Sequence, residues 1–103
     1  MEPRYPTEDE LERIRKWPCE DFHSLMEFVH ELWEFKEFGW TRDGDIYILA
    51  TGGWSGNEDL IGALHGNLMF WSFYWEQSTR GGKHIFCNLN FENLEKLTEI
   101  RKQ

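Results

Sequence analysis

The segment TGGWSGNED, residues 51–59, comes nearest to a reactive site in this chain. Ser55 stands between an alternating apolar segment and a helical pattern, which is where the nucleophile of an α/β-hydrolase stands. The hydrolase motif G-x-S-x-G also needs glycine at position 57, where this chain has asparagine. His65 and His84 are candidate bases, but nothing in the spacing places either beside Ser55. The segment therefore argues against a serine hydrolase.

The glycines of the same segment raise the alternative of phosphate binding, because backbone N–H groups at the start of a helix attract anions. The segment lacks the Lys-Ser/Thr ending of a phosphate-binding loop and does not match G-x-G-x-x-G. Glu58 and Asp59 also occupy the place that an anion would take. We predict instead a tight strand-to-helix corner capped by Asn57, with Trp54 either folded onto the core or offered to a partner.

The densest basic spot in the chain is RGGKH at residues 80–84. If this turn lies near the glycine segment, a recognition site for a small ligand, or a minimal enzyme, would combine five residues: Trp54, Ser55, Asn57, Arg80 and His84. If the turn lies at the opposite end of the sheet, Arg80 belongs to a solvated turn and pairs with a helix carboxylate. The sequence leaves both alternatives open.

A polar stripe of two histidines and two glutamates, His23, Glu27, His30 and Glu34, follows helical spacing. Imidazole and carboxylate groups are zinc ligands. However, His23 and His30 are two helical turns apart, which is too far to chelate one ion easily. The sequence therefore predicts a solvated helix face, with no metal and no cofactor.

The formal net charge of −8 is concentrated in residues 1–37, where eleven acids face five bases. Binding of a phosphate backbone needs clustered Lys and Arg, so direct nucleic-acid binding is not expected. An acidic surface steers basic partners instead. We expect an acidic helix face to contact a basic partner through Glu20, Glu27, Glu31 and Glu34. The alternative is that this face is simply solvated.

The 103 residues, of which 40% are hydrophobic and 17% aromatic, suit one domain with one core. We expect this domain to span residues 1–103, with residues 1–6 and 101–103 frayed. The longest apolar run, Leu68–Trp71, is far too short for a membrane span. Cys19 and Cys87 fit no metal or redox spacing. A cytoplasmic protein without a membrane partner is expected.

Thr7 followed by Glu10 is a capping-box signature, which predicts a helix that ends before Pro18. A second helix is predicted from about Glu20 to about Phe35, because apolar residues recur there at spacings of three and four. Gly39 is a natural stop for it.

Asp43-Gly44 lies between two strand-like runs and predicts a β-hairpin across residues 40–51. A helix from about Glu58 to about His65 follows. The aromatic run Leu68–Thr79 indicates a long strand, the turn at residues 80–82 reverses the chain, and Lys83–Leu89 returns as the antiparallel partner. Asn90 can cap a last helix. The order ααββαββα predicts an α+β domain with a four-stranded antiparallel sheet of two hairpins and helices mainly on one face.

Three motifs support a resemblance: GGWSGNE at 52–58, the aromatic residues at 70, 71 and 75, and RGGxH at 80–84. From Pro6 to about Phe86 the chain resembles small accessory proteins of phages, prophages and bacterial accessory regions. This resemblance implies a small cytosolic protein and supplies no catalytic residues. In that setting, compact acidic proteins often inhibit host defence systems, as anti-CRISPR proteins do, or confer immunity to toxins.

The resulting expectation is a non-enzymatic protein that binds and inhibits a larger host protein through that protein's basic, nucleic-acid-binding surface. A small-ligand module at the Trp54 and Arg80 loops is one alternative. A toxin-immunity protein is another, and so is a dimeric structural module that uses Phe28, Phe35 and Trp40.

Overall fold

The computed structural model describes residues 5–88 and 91–102, apart from the side chains of residues 91, 92 and 101. The predicted cap Asn90, the strand end Leu89 and most of the chain ends lie outside the described residues. The elements in chain order are α1 (Glu8–Arg15), α2 (Phe22–Leu32), α3 (Lys36–Gly39), β1 (Trp40–Asp43), β2 (Ile46–Ala50), α4 (Ser55–Gly66), α5 (Leu68–Tyr74), β3 (Trp75–Thr79), β4 (Lys83–Cys87) and α6 (Phe91–Arg101).

The predicted α+β class and the four-stranded antiparallel sheet are confirmed. The strand order is β1-β2-β4-β3, so the two hairpins meet along β2 and β4. The two-residue turn is Gly44-Asp45, one residue later than the predicted Asp43-Gly44, because Asp43 pairs with Ile46 in the sheet. Gly44, with φ 61°, takes the first position of this turn. A two-residue hairpin turn requires this positive φ.

The two faces of the sheet bury different residues, because successive side chains of a strand point to opposite sides. Tyr47, Leu49 and Phe86 belong to the main core with α1, α2, α4 and α5. Ile46 and Cys87 on the reverse face pack with Leu97 of α6 in a smaller cluster. Most helices therefore cover one face, as predicted, and α6 covers the other.

The start of α1 is the predicted capping box. The backbone N–H of Glu10 donates to Thr7 Oγ1 at 3.2 Å, and the Thr7 N–H donates to a Glu10 carboxylate oxygen at 2.8 Å. Two orphan N–H groups of the first turn are satisfied in this way.

The second helix is shorter than predicted and ends at Leu32. Phe35 then adopts a left-handed conformation, with φ 62°, before the short helix α3. Gly39 closes α3, where an added Cβ would collide with the carbonyl oxygen of Ala50. Glycine is needed there for the close approach of α3 to β2.

The prediction of one long strand over Leu68–Thr79 is wrong for its first seven residues, which form α5. The Asn67 side chain caps this helix by accepting a hydrogen bond from Phe70 N at 3.2 Å. Phe70 and Tyr74, one turn apart, both pack on Phe22 of α2. The cap and this helical burial pattern override the strand preference of the aromatic run.

The prediction that Asn57 caps the next helix is also wrong. Helix α4 begins at Ser55 with Trp54 in the N-cap position, and Asn57 is buried within its first turn. Asn57 Oδ1 accepts from Glu34 N at 3.0 Å, and Nδ2 donates to Glu34 O at 2.9 Å and to Thr51 O at 3.4 Å. Asn57 therefore joins α4 to the segment between α2 and α3.

We predict that Asn57→Ala lowers the free energy of unfolding by about 1–3 kcal/mol, because it leaves partly buried backbone groups of Glu34 unsatisfied. Urea unfolding measures this loss. Asn88→Ala, at an exposed position, is the control and should change stability by less than about 0.5 kcal/mol. An equal, small effect of both substitutions would contradict the role of Asn57.

We also predict that the two thiols differ in reactivity. Burial raises the pKa of Cys87 to about 11, whereas Cys19 is partly exposed. Because the thiolate is the nucleophile, iodoacetamide at neutral pH should alkylate Cys19 and leave Cys87 unmodified until the chain is unfolded. Mass spectrometry of the native protein and of Cys19→Ser checks this. Rapid alkylation of Cys19→Ser in its native state would contradict it.

Candidate functional site

The glycine segment and the Arg80 turn lie at the same end of the sheet. Ala50 pairs with Lys83, and the Thr51 N–H donates to Gly82 O at 3.0 Å. Gly82 has φ 89°, and an added Cβ would collide with Thr51 Oγ1. The two loops are therefore neighbours, held by a close contact that only glycine permits.

The side chains of the glycine segment nevertheless point to different partners. The Trp54 ring is half-buried and lies 4.7 Å from the Tyr5 ring, centroid to centroid. Ser55 Oγ lies 3.1 Å from the Tyr5 hydroxyl. Asn57 points inward to Glu34. Trp54 is therefore partly covered by the N-terminal segment, and Ser55 contacts Tyr5 rather than a base.

His84 belongs to a small cluster that the sequence reasoning missed. Ser78 Oγ lies 2.8 Å from His84 Nδ1, and the Trp75 indole N–H donates to the same oxygen at 2.8 Å. Trp75 also stacks on Trp71, with ring planes 12° apart. The strand register places Ser78 opposite His84. That pairing was hidden because the sequence shows no sign of the bulge between Trp75 and Gln77.

Burial lowers the pKa of His84 below its ordinary value, and the nearby Glu58 carboxylate only partly offsets this effect. The imidazole is therefore neutral near pH 7. Arg80 is exposed at the turn and forms no ion pair with any residue of the described ranges. The structure thus brings the two loops together but does not direct Ser55, Asn57 and His84 at one common point.

The predicted acidic face is shorter than expected. Glu27 and Glu31 are exposed on α2, one turn apart. Glu20 is exposed but precedes the helix, whose N-cap is Asp21. Glu34 follows the C-cap, is half-buried and has its backbone tied to Asn57. The acidic face of α2 is therefore Glu27 and Glu31, and the other two carboxylates flank it.

Glu27 and Glu31 line an open groove of about 880 Å³ between α2 and the β1–β2 hairpin. We call it the acidic groove. Its other principal lining residues are aromatic or cationic: Trp17, Phe28, His30, Trp40, Arg42 and Tyr47. Within the described part of the chain, neither Glu27 nor Glu31 has an ion-pair partner.

The aromatic wall of the acidic groove is held by edge-to-face contacts. Trp40 contacts His30 at 4.9 Å and Trp33 at 5.5 Å between ring centroids. Arg42 lies over the Tyr47 ring, 5.1 Å from its centroid, and its Nε donates to Gly44 O at 2.8 Å. Trp40 also meets the Tyr47 ring edge-to-face at 6.1 Å and is thereby packed on three rings, while the one arginine that lines the groove is already anchored.

A hydrogen-bonded chain at the Arg42 end fixes the start of α2 to the hairpin. His23 Nδ1 lies 2.7 Å from Tyr47 Oη, and Nε2 lies 2.7 Å from Asp45 Oδ1. The Asp45 carboxylate can only accept, so His23 Nε2 donates to it, and the Tyr47 hydroxyl and Nδ1 share the other hydrogen bond. Burial raises the pKa of Tyr47. His23 therefore has a structural role, and so does His30 through its contact with Trp40.

No protein-family model matches the chain, and no curated protein or solved structure is significantly similar to it. No helix in the described ranges is long and apolar enough to cross a membrane.

We predict that His84 makes stability depend on pH. Because its pKa is lowered in the folded state, the unfolded chain binds more protons, and stability falls as the pH drops below about 6.5 toward the folded pKa. His84→Gln should flatten this fall. Urea midpoints at about pH 7.5 and about pH 5.5 measure it, and parallel profiles for the two proteins would contradict it.

Proposed function

We propose that this protein is a non-enzymatic binding module that takes a basic segment of a partner protein into the acidic groove. The observation that carries the proposal is the pair Glu27 and Glu31, which are exposed, without ion-pair partners among the described residues, and opposite an aromatic wall. Carboxylates and ring faces both attract cations, so the groove suits Lys or Arg side chains.

The chain already shows one such contact at the border of the groove. The Arg13 guanidinium lies 4.6 Å from the Phe28 ring centroid and 5.6 Å from that of Trp17. Contacts of this kind are worth about 0.5–1 kcal/mol at exposed sites and about 2 kcal/mol or more when desolvated. Tight binding therefore needs several basic side chains, as a basic protein surface provides.

Arg42 makes the two ends of the acidic groove differ in charge. It lies over Tyr47 at the end near Gly44, while Trp40 and Glu31 lie toward the other end of α2. A partner cation placed beside Glu31 and Trp40 avoids repulsion from Arg42. The net charge of −8 adds long-range attraction for a basic partner and speeds association.

Inhibition of a host protein is the biological role that we propose for this binding. An acidic module on a nucleic-acid-binding surface competes with the nucleic acid for the same Lys and Arg side chains. The supports for this role are the charge of the chain and the resemblance to phage and prophage accessory proteins that we infer from the motifs at 52–58 and 80–84, among which host-defence inhibitors such as anti-CRISPR proteins occur. The proposed site of action is the host cytosol.

The test is charge reversal of the groove with a matched control. Glu27→Lys/Glu31→Lys should weaken binding to a partner captured from host lysate by about tenfold or more and should flatten its salt dependence. Glu95→Lys/Glu99→Lys is the control, because it makes the same charge change one turn apart on α6, across the sheet. Calorimetric titration of the purified partner measures both variants.

Equal weakening by the two double variants would show that only net charge matters and would reject the acidic groove as the binding site. Capture of no basic protein would reject the proposal as a whole. A partner that binds normally but still binds its nucleic acid in the complex would reject inhibition by competition and leave the groove in place.

A further inference from the structure

One side of helix α5 is apolar and exposed to solvent. Leu68 is 72% exposed, Met69 58% and Phe73 59%. At about 100° per residue these side chains lie within about 140° of arc. The opposite side of the helix carries Phe70 and Tyr74, which pack on α2. We call the surface formed by Leu68, Met69 and Phe73 the α5 face.

The α5 face extends to Trp75, which follows the helix, is 39% exposed and stacks on Trp71. Taking about 200 Å² as the full area of each side chain, these four residues expose on the order of 450 Å². Apolar patches of this size on soluble proteins often mark interaction sites.

We propose that the α5 face is covered by a second copy of this chain, with α5 of one protomer against α5 of its partner about a two-fold axis. The absence of charge on this surface favours a second copy. No acidic or basic residue occurs from 66 to 75 in a chain of net charge −8. A basic partner gains nothing from this surface. A second copy presents an equally uncharged surface, and apposing the two places no like charges at the centre.

The area also fits a dimer. The α5 faces and Trp75 side chains of two copies together bury at most roughly 900 Å² of apolar surface, and Ser72, exposed between Leu68 and Met69, adds to this total. Stable interfaces bury about 1,200–2,000 Å², so a contact of this size corresponds to a weak, reversible dimer. An isologous interface of this kind closes on itself and does not propagate into fibres.

The position of the α5 face leaves the acidic groove accessible. Helix α5 leads directly into β3, and the groove borders β1, so the two surfaces lie toward opposite edges of the sheet. The dimer would carry two grooves, and a partner with repeated basic sites would bind it with a gain in avidity. The dimer itself does not depend on the proposed function.

The test is sedimentation of the purified chain from about 5 to about 500 µM, a range that covers weak and moderate dimers. The expected mass rises from 12.4 kDa toward twice that value. Phe73→Asp should raise the dissociation constant at least tenfold. Phe38→Asp, the same substitution at an 89% exposed phenylalanine on α3, should leave it unchanged. Met69→Asp is the second variant, and circular dichroism confirms that each variant is folded.

Salt separates this proposal from the proposed function. Raising the salt from about 50 to about 500 mM screens the repulsion between two acidic protomers and should strengthen the dimer, whereas it should weaken binding of a basic partner. If the dimer does not form, binding of a basic partner can still be measured, and the reverse also holds.

A monomer at every concentration would overturn the proposal, and so would a dimer that resists both Phe73→Asp and Met69→Asp. Loss of the dimer in Phe38→Asp alone would place the interface on α3 and would also overturn it. Binding of the monomer to phosphatidylcholine vesicles, without a dimer in solution, would assign the α5 face to a lipid surface instead.

Discussion

The placement of α4 depends on two buried side-chain amides, one near each end of the helix. Asn57 bonds the backbone of Glu34 on both its N–H and C=O, while Asn67 Nδ2 donates to the carbonyls of Ile14 and Trp17 at 2.9 Å each. A buried amide is costly unless its hydrogen bonds are made, so each asparagine accepts only one arrangement of its neighbours. The loops after α1 and α2 are thereby fixed to one helix.

Local signals in the sequence predicted the elements that local interactions build. The Thr7 capping box and the Asp43-Gly44 hairpin need only residues a few positions apart, so their patterns are sufficient. The strand assigned to Leu68–Thr79 was wrong over residues 68–74, because packing of Phe70 and Tyr74 on the distant Phe22 favours a helix there. Asn57 was misread for the same reason: its partner Glu34 is distant in the chain, and a residue type suited to capping serves equally well as a buried bridge.

The candidate site was predictable in its charge but not in its shape. Glu27 and Glu31 follow from helical spacing, so their shared exposure could be read from the sequence. The wall that faces them depends on the left-handed turn at Phe35, which brings Trp40 back beside α2. No local sequence pattern predicts that turn. The glycine segment, by contrast, stands out by its composition, but its buried Asn57 serves the fold, and Gly52 and Gly53 supply the positive φ angles of the turn.

The order of strands in the sheet has a kinetic consequence. Each hairpin pairs residues close in the chain, but β2 and β4, which join the hairpins, pair Ala50 with Lys83 across more than thirty residues. Hairpins form in microseconds, whereas closing the intervening segment must first overcome its loop entropy. The α4–α5 unit lies inside that segment. We therefore expect the pairing of β2 with β4, rather than the formation of either hairpin, to limit the folding rate.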